Sequence, residues 1–500
     1  MSDTETKDNE SPKNGKEEKP KPEPKDNLVV TRHSVTINGQ EINYTVTTGT
    51  IILKEETEKD GKAEGETAKA AFFFVAYTRD GVEDVAQRPL TFSFNGGPGS
   101  SSVWMHLGVL GPRRILTDEQ GNLLQPPYKL IDNEYSILDQ TDLVFIDPVS
   151  TGFSRAVEGE KPKAFHGYQK DIESVGDFIR LYTTRYGRWT SPKFLIGESY
   201  GTTRASGLSG YLQERHGMYL NGIMLISVVL NFQTLRFPIG NDLPYILYLP
   251  SLTAAAWYHK KLDADLQADL PKTLTEVRAF ALSDYTLALM QGSAIAEDEK
   301  ERIEQKLARY TGLSLDYVKR CDLRVQYMRF CKELLRDERR TVGRLDSRFT
   351  GIDRDAAGEL FEYDPSYSVI LGPYSATFND YIRRELNYES DLPYEIINAK
   401  VRPWNYENVQ NEFLNVAETL RKAMTTNPHL QVFVANGYFD LATPFTATEY
   451  TINHMSLDPT LTDNITMHYY EAGHMMYAHL PSLQQLKADL DGFMETAVPA

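Results

Sequence analysis

The chain has 500 residues, 41% hydrophobic and 25% charged, which excludes a mostly disordered chain, a collagen and a coiled coil. At about 150 residues per domain this length allows about three domains, although α/β enzymes often run long as one. Lys and Arg number 53 against 70 Asp and Glu, a net charge of −17 that would repel phosphate backbones and argues against a nucleic-acid partner.

The opening segment, residues 1–27, is Lys, Glu, Asp and Pro with almost nothing apolar. It cannot offset its ordering entropy by burial and is expected to be disordered. It lacks the apolar stretch of a secretory signal, so the expected location is cytoplasmic, or secreted if the native N-terminus differs from this one. No run of apolar residues is long enough for a transmembrane helix.

Order is expected from Leu28. HSVTINGQEINYTVTTGTIILK alternates apolar and polar residues around an Asn38-Gly39 hairpin turn, and a polar loop rich in Glu, Lys and Gly follows. AAFFFVAYT (70–78), PLTFSFN (89–95), TDLVFID (141–147), KFLIG (193–197) and NGIMLISVVL (221–230) read as strands. A helical pattern over 168–186 lies among them. From about 240 to 375 the strand signals stop and a Leu-, Ala-, Glu- and Arg-rich helical pattern takes over. HLQVFVANG (429–437) and NITMHYYEAG (464–473) then resume the strands. Strands alternating with helices predict an α/β fold with a mostly parallel central sheet and helices on both faces. The parts are then a tail (1–27), a first core part (28–239), a helical lid inserted over the strand ends (240–375) and a second core part (376–500). Cys321 and Cys331, the two cysteines, fall ten residues apart in a stretch of helical character. That separation, about 15 Å along a straight helix, is too long for a bridge, so both are read as free thiols.

The strongest chemical signal is FLIGESYGTTRASGL: an apolar strand, then Gly197-Glu198-Ser199-Tyr200-Gly201, then a helix pattern. G-x-S-x-G in that context puts a serine on a strained strand-to-helix turn, with the helix N-terminus facing developing negative charge. Without that context it would be a glycine-rich turn with a capping serine. A serine nucleophile needs a base and an orienting carboxylate, which on this fold follow it in the order acid, then histidine. Of ten histidines, His33, His106 and His166 precede Ser199, and His216 and His259 fall in helix or lid. His474 follows the last strand at a Gly473 turn and is preferred over His479. Asp440 follows the penultimate strand and is preferred over Asp458 and Asp463, although it could serve only as a helix N-cap. The run Asn95-Gly96-Gly97-Pro98-Gly99 after a core strand leaves backbone N–H groups free for an oxyanion, and the Tyr200 N–H would be the second donor. No metal-spaced Cys/His cluster and no internal repeat occurs.

With these segments in place, the chain resembles the serine carboxypeptidases, an α/β-hydrolase family. NGGPGSSS (95–102), DPVSTGFS (147–154), GESYG (197–201), NGYFD (436–440) and GHMM (473–476) occur in family order over roughly residues 85 to 485. The resemblance implies a triad of Ser199, Asp440 and His474, oxyanion donors at Gly97 and Tyr200, and a site for the substrate's C-terminal carboxylate at Asn95, Gly96 and Glu198. It implies peptide substrates and no cofactor or metal. There are departures. Ser100 stands where the family usually has Cys, and Val109 where it usually carries a second glutamate. Tyr438-Phe439-Asp440 keeps only the second acid of a frequent Asp-x-Asp, and Met475-Met476 follows His474 in place of Met-Val-Pro. The few cysteines resemble a bacterial branch. The function implied is release of C-terminal residues from peptides. An esterase or acyltransferase on the same fold, and a catalytically silent binding module, are the alternatives. Oligomeric state is not legible.

Overall fold

The computed structural model describes residues 23–122 and 124–498. The disorder expected of the tail therefore lies, for residues 1–22, outside the described residues. Residues 23–27 are held. Glu23 pairs with Lys54 at 2.6 Å, and Asp26 accepts from the Ile52 N–H at 2.8 Å and pairs with Arg185 at 2.6 Å. Among the described residues no helix is long and apolar enough to cross a membrane.

A ten-stranded mixed sheet runs through the molecule. Its first three strands, β1 (Asn27–Ile37), β2 (Gln40–Lys59) and β3 (Lys62–Arg79), form an antiparallel meander turned at Asn38-Gly39. Next come β4 (Leu90–Phe94), β5 (Asp142–Ile146), helix α1 (Tyr168–Arg185), β6 (Lys193–Ser199), helix α2 (Tyr200–His216) and β7 (Gly222–Val228). After the helical segment, β8 (Gln431–Gly437) and β9 (Ile465–Tyr470) complete the sheet. The spatial order is β1-β2-β3-β5-β4-β6-β7-β8-β9, with the short strand Arg155–Ala156 paired to β3. From β5 to β9 every pairing is parallel. This is the expected α/β-hydrolase architecture with an antiparallel flank. β4, β5 and β7 are buried along their whole length because apolar clusters cover both faces, which is why they read as unbroken apolar runs.

Two local readings are corrected. The polar stretch after Leu53 is not a loop: β2 and β3 stay paired out to Lys59 opposite Lys62. Beyond Leu53 the ribbon is largely in solvent, so backbone pairing continues with no apolar alternation to announce it. Cys321 and Cys331 do not share one helix. Cys321 ends the helix Leu315–Arg320, Asp322 and Leu323 take positive φ, and Cys331 lies in Tyr327–Glu333. Both are free thiols.

Between β7 and β8 a run of helices extends from α3 (Leu243–Tyr258) to α4 (Pro365–Arg384), interrupted by a small ribbon at Thr341–Val342 and Thr350–Gly351. It carries an apolar core of its own, including Val277, Leu307 and Phe330, and Leu441 of the sheet's C-terminal edge packs into it.

α1 and α2 are tied by one buried ion pair. Arg204 Nε and Nη2 donate to the two Asp171 oxygens at 2.8 and 3.1 Å, and Nη1 donates to the Asn95 carbonyl at 2.6 Å. Both side chains are almost fully buried. Asp171→Ala would leave the guanidinium charge buried and unpaired, and should cost about 3–5 kcal/mol in urea unfolding. Adding Arg204→Met should recover most of that loss. A midpoint unmoved by Asp171→Ala would contradict this account.

Candidate active site

Parallel register brings the candidate residues together. Phe94, the end of β4, lies opposite Gly197 of β6, and Gly437 of β8 lies opposite Tyr470 of β9. The loops leaving these strands therefore open on the same carboxyl edge, where β4 sits between β5 and β6 and strand order reverses.

Ser199 stands between β6 and α2 with φ 61° and ψ −128°, a strained conformation for a non-glycine residue. The turn is tight enough that a Cβ at Gly197 would fall on the Gly201 carbonyl oxygen, and one at Gly96 would fall on the Tyr200 nitrogen. Gly96 thus lets the Asn95–Gly99 loop lie directly against the start of α2. As the first residue of α2, Tyr200 has an N–H with no intrahelical acceptor. Gly97 follows with φ 102°.

His474 Nδ1 lies 2.7 Å from Asp440 Oδ2, both groups buried. Asp440 is not the helix N-cap the sequence left open, since the following helix Phe445–Asn453 has Pro444 at its N-cap, but it pins the turn between strand and helix. Its Oδ1 accepts from the Ala442 and Thr443 N–H groups at 2.7 and 3.0 Å, and its Oδ2 accepts from Thr443 Oγ1 at 2.7 Å. One oxygen pins the turn and the other faces the imidazole. Burial works against the His474 cation, but the charge and hydrogen bond of Asp440, with Glu198 beyond, outweigh it and hold the pKa above the ordinary value.

A segment with no motif of its own, residues 344–347, threads between the two loops. The Arg344 carbonyl accepts from Leu441 N–H at 3.0 Å, and the Leu345 carbonyl accepts from His474 N–H at 2.6 Å. Asp346 Oδ2 accepts from Gly473 N–H at 3.1 Å, and Ser347 N–H donates to the Phe439 carbonyl at 3.0 Å. Ser227 Oγ donates to the His474 carbonyl at 2.6 Å. Sequence reasoning missed these positioning groups, because each reaches its loop across a long chain separation.

Glu198 and Asn95 form a buried polar pair beside Ser199. Asn95 Nδ2 donates to Glu198 Oε1 at 3.0 Å, and Asn95 Oδ1 accepts from Met105 N–H at 3.2 Å. Tyr477, which the sequence reading did not single out, donates its hydroxyl to Glu198 Oε2. The short turn Met476–Ala478 after His474 folds it back onto Glu198. A tyrosine three residues past the candidate base was the one available signal. Burial pushes Glu198 up to about 7 despite the opposing influence of His474, Tyr477 and Asn95. Val109 is buried in the apolar core, and its carbonyl accepts from Asn133.

Asn95, Gly96, Gly97, Glu198, Ser199 and His474 line one cavity of about 410 Å³. Tyr200, with Gly97 and Ser199 again, lines an adjoining cavity of about 640 Å³. Tyr248, Tyr327 and Met328 from the helical segment wall the larger one, and Phe361 and Tyr367 the smaller. All eight sequence-derived site residues therefore converge, with Asp440 behind His474.

The rejected groups have other partners. His106 is buried against the Tyr77 hydroxyl, and burial lowers its pKa to about 3. His166 bonds Ser150, His216 bonds Asp177, His259 bonds the Ser347 carbonyl and His479 bonds Ser482. Asp458 caps the turn at Thr460.

The serine carboxypeptidase family model matches residues 61–480. A pheromone-processing carboxypeptidase, KEX1, of Saccharomyces cerevisiae is 32% identical over 144 residues, which are 27% of this chain and 18% of that protein. Serine carboxypeptidase-like 33 of Arabidopsis thaliana is 29% identical over 146 residues, 27% of each chain. These alignments thus span only a minor part of the length of the curated relatives. The crystal structure of the yeast KEX1 protein superposes over 90% of this chain and 91% of its own, with a TM-score of 0.56 at 18% identity, which is a likeness of fold.

Proposed function

The chain belongs to the serine carboxypeptidase family, and from that premise we propose that it releases C-terminal residues from peptides through an acyl-enzyme on Ser199. In this reading Ser199 Oγ attacks the last peptide carbonyl while His474 Nε2 takes its proton. Asp440 holds the Nδ1–H tautomer and stabilises the imidazolium. The Gly97 and Tyr200 N–H groups receive the oxyanion. His474 then protonates the departing amine, and water, activated by the same imidazole, hydrolyses the ester. Residues 240–375 act as a lid, supported by the side chains they contribute to both cavities. Ser100 and the two unpaired thiols support placing the chain in a cysteine-poor, bacterial-type branch.

The observation that carries the exopeptidase reading is the buried Asn95–Glu198–Tyr477 group beside the nucleophile. An esterase, an acyltransferase or a silent binding module has no need of a proton-bearing carboxyl there. A peptide's free carboxylate does, because two like charges in contact disfavour joint ionisation and a shared proton removes the conflict.

The test is a pH profile. Glu198 is protonated below about 7, so kcat/KM for a free-acid peptide should fall as pH rises through that value, while a C-terminally amidated peptide should be cleaved poorly at every pH. On the acid side kcat/KM should rise as His474 loses its proton. Glu198→Gln keeps a neutral donor and should remove the falling limb. It should also move the rising limb to lower pH, since Glu198 raises the His474 pKa. Tyr477→Phe removes a hydrogen bond that lowers the Glu198 pKa, so the falling limb should move to higher pH. An unchanged profile in Glu198→Gln would defeat the carboxylate-recognition role and favour the esterase or acyltransferase reading.

A further inference from the structure

The two cavities that meet at Ser199 differ in charge. The smaller holds His474, Asn95 and Glu198, and in the exopeptidase reading it takes the departing residue. The larger adjoins the Gly97 and Tyr200 N–H groups on the other side of Ser199, and so takes the acyl portion. No Asp or Glu lines the larger cavity, but three arginines do: Arg236, Arg344 and Arg402. This runs against a chain with 70 acidic and 53 basic residues. The three come from separate stretches: the segment after β7, the strand-linking segment at 344–347, and the irregular chain before β8.

Arg344 and Arg402 also line the smaller cavity, where Glu198 and Asp364 oppose them, whereas Arg236 lines the larger one alone. The excess positive charge therefore falls on the acyl side. Arg324, in the same helical segment, is by contrast engaged two-pronged by Asp242 at 2.7 and 2.8 Å. In the cavity, Arg344 Nε stands 3.7 Å from Asp364, and the Arg236 guanidinium lies over the Phe232 ring, 5.7 Å from its centroid. Among the described residues no ion pair engages Arg236 or Arg402, and Arg236 donates a hydrogen bond to the Tyr406 hydroxyl, which lines the same cavity. Phe232, Tyr248, Tyr327 and Trp404 wall the same space with apolar surface, which lowers the local dielectric and strengthens a guanidinium–carboxylate contact.

We propose that this cavity is a subsite for an anionic side chain, and that the enzyme acts preferentially on peptides with Asp or Glu in the penultimate position. The proposal rests on the exopeptidase reading and narrows its substrate class. It is tested with acetylated tripeptides ending in Glu-Phe, Gln-Phe and Lys-Phe, at a pH of about 6, where a side-chain Glu is ionised. At low salt kcat/KM should be about tenfold higher for the Glu peptide than for the Gln peptide, and lowest for Lys. The Glu/Gln ratio should shrink in high salt. Arg236→Gln and Arg402→Gln should each lower that ratio several-fold, and Arg402→Glu should bring the Lys peptide level with or above the Glu peptide. Equal rates for Glu and Gln peptides in the unaltered enzyme would overturn the proposal and leave the exopeptidase reading intact, and a ratio unmoved in all three variants would overturn the arginine assignment. If Ser199 accepts a fluorophosphonate while none of the three peptides is hydrolysed, the exopeptidase reading itself fails, and this proposal with it.

Discussion

Ser199→Ala should lower kcat on a free-acid peptide by about 10⁴- to 10⁶-fold and abolish fluorophosphonate labelling, with the melting temperature close to that of the unaltered protein. The split follows from where the side chain sits. Ser199 faces the cavity shared with His474, so removing its hydroxyl orphans no buried partner. The strained backbone at φ 61° is imposed by the crossing of β6 and α2 and by the close approach around Gly197, none of which involves the hydroxyl. Alanine can occupy that conformation at a cost similar to that of serine. What is lost is the nucleophile. The Gly97 and Tyr200 N–H groups proposed to receive the oxyanion are backbone groups and remain, so in that reading any residual rate would come from them and from binding alone. A residual rate within about tenfold of the unaltered enzyme would remove Ser199 from the chemistry, whatever its geometry.

Sequence and structure agree best where one physical pattern covers a whole element. β4, β5, β6 and β7 were legible because burial on both faces leaves unbroken apolar runs, and Ser199 because a strand–turn–helix carries its own spacing signature. Asp440 and His474 were legible from chain order and from their places just past two strands. The outer hairpin was not, because its pairing is backbone-driven and its side chains are in solvent. Nor were Ser227, Asp346 and Tyr477. Each acts through one hydrogen bond across a large chain separation, and nothing local in the sequence distinguishes such a residue from an ordinary turn or surface residue. The break in the helical stretch at Asp322 and Leu323 was hidden for a related reason: two non-glycine residues take positive φ there, and composition does not announce it.

Asp440→Asn should cost about 10⁴-fold in kcat while leaving the loop folded. Asp440 is fully buried and accepts from four donors, and its two oxygens divide the work. An asparagine can keep its carbonyl oxygen on the Ala442 and Thr443 N–H groups, which preserves the turn. Its amide nitrogen then faces His474 Nδ1 at the position Oδ2 now holds. An NH₂ group cannot accept from Nδ1–H, so the ring must take the other tautomer, with the proton on Nε2. That nitrogen is then a donor towards Ser199 and can no longer take its proton. The variant also loses the negative charge that, against burial, holds the His474 pKa up, so the imidazolium formed during attack is destabilised as well. Asp440→Ala separates structure from chemistry. It leaves the two backbone N–H groups and Thr443 Oγ1 without their acceptor, and should lower stability by about 1–3 kcal/mol where Asn changes it little. The measurement is a pair of urea midpoints beside the two kcat values, with the histidine tautomer read by nitrogen NMR. If Asp440→Asn keeps kcat within about tenfold and His474 retains its proton on Nδ1, Asp440 only caps the turn, and the imidazole is oriented by something else.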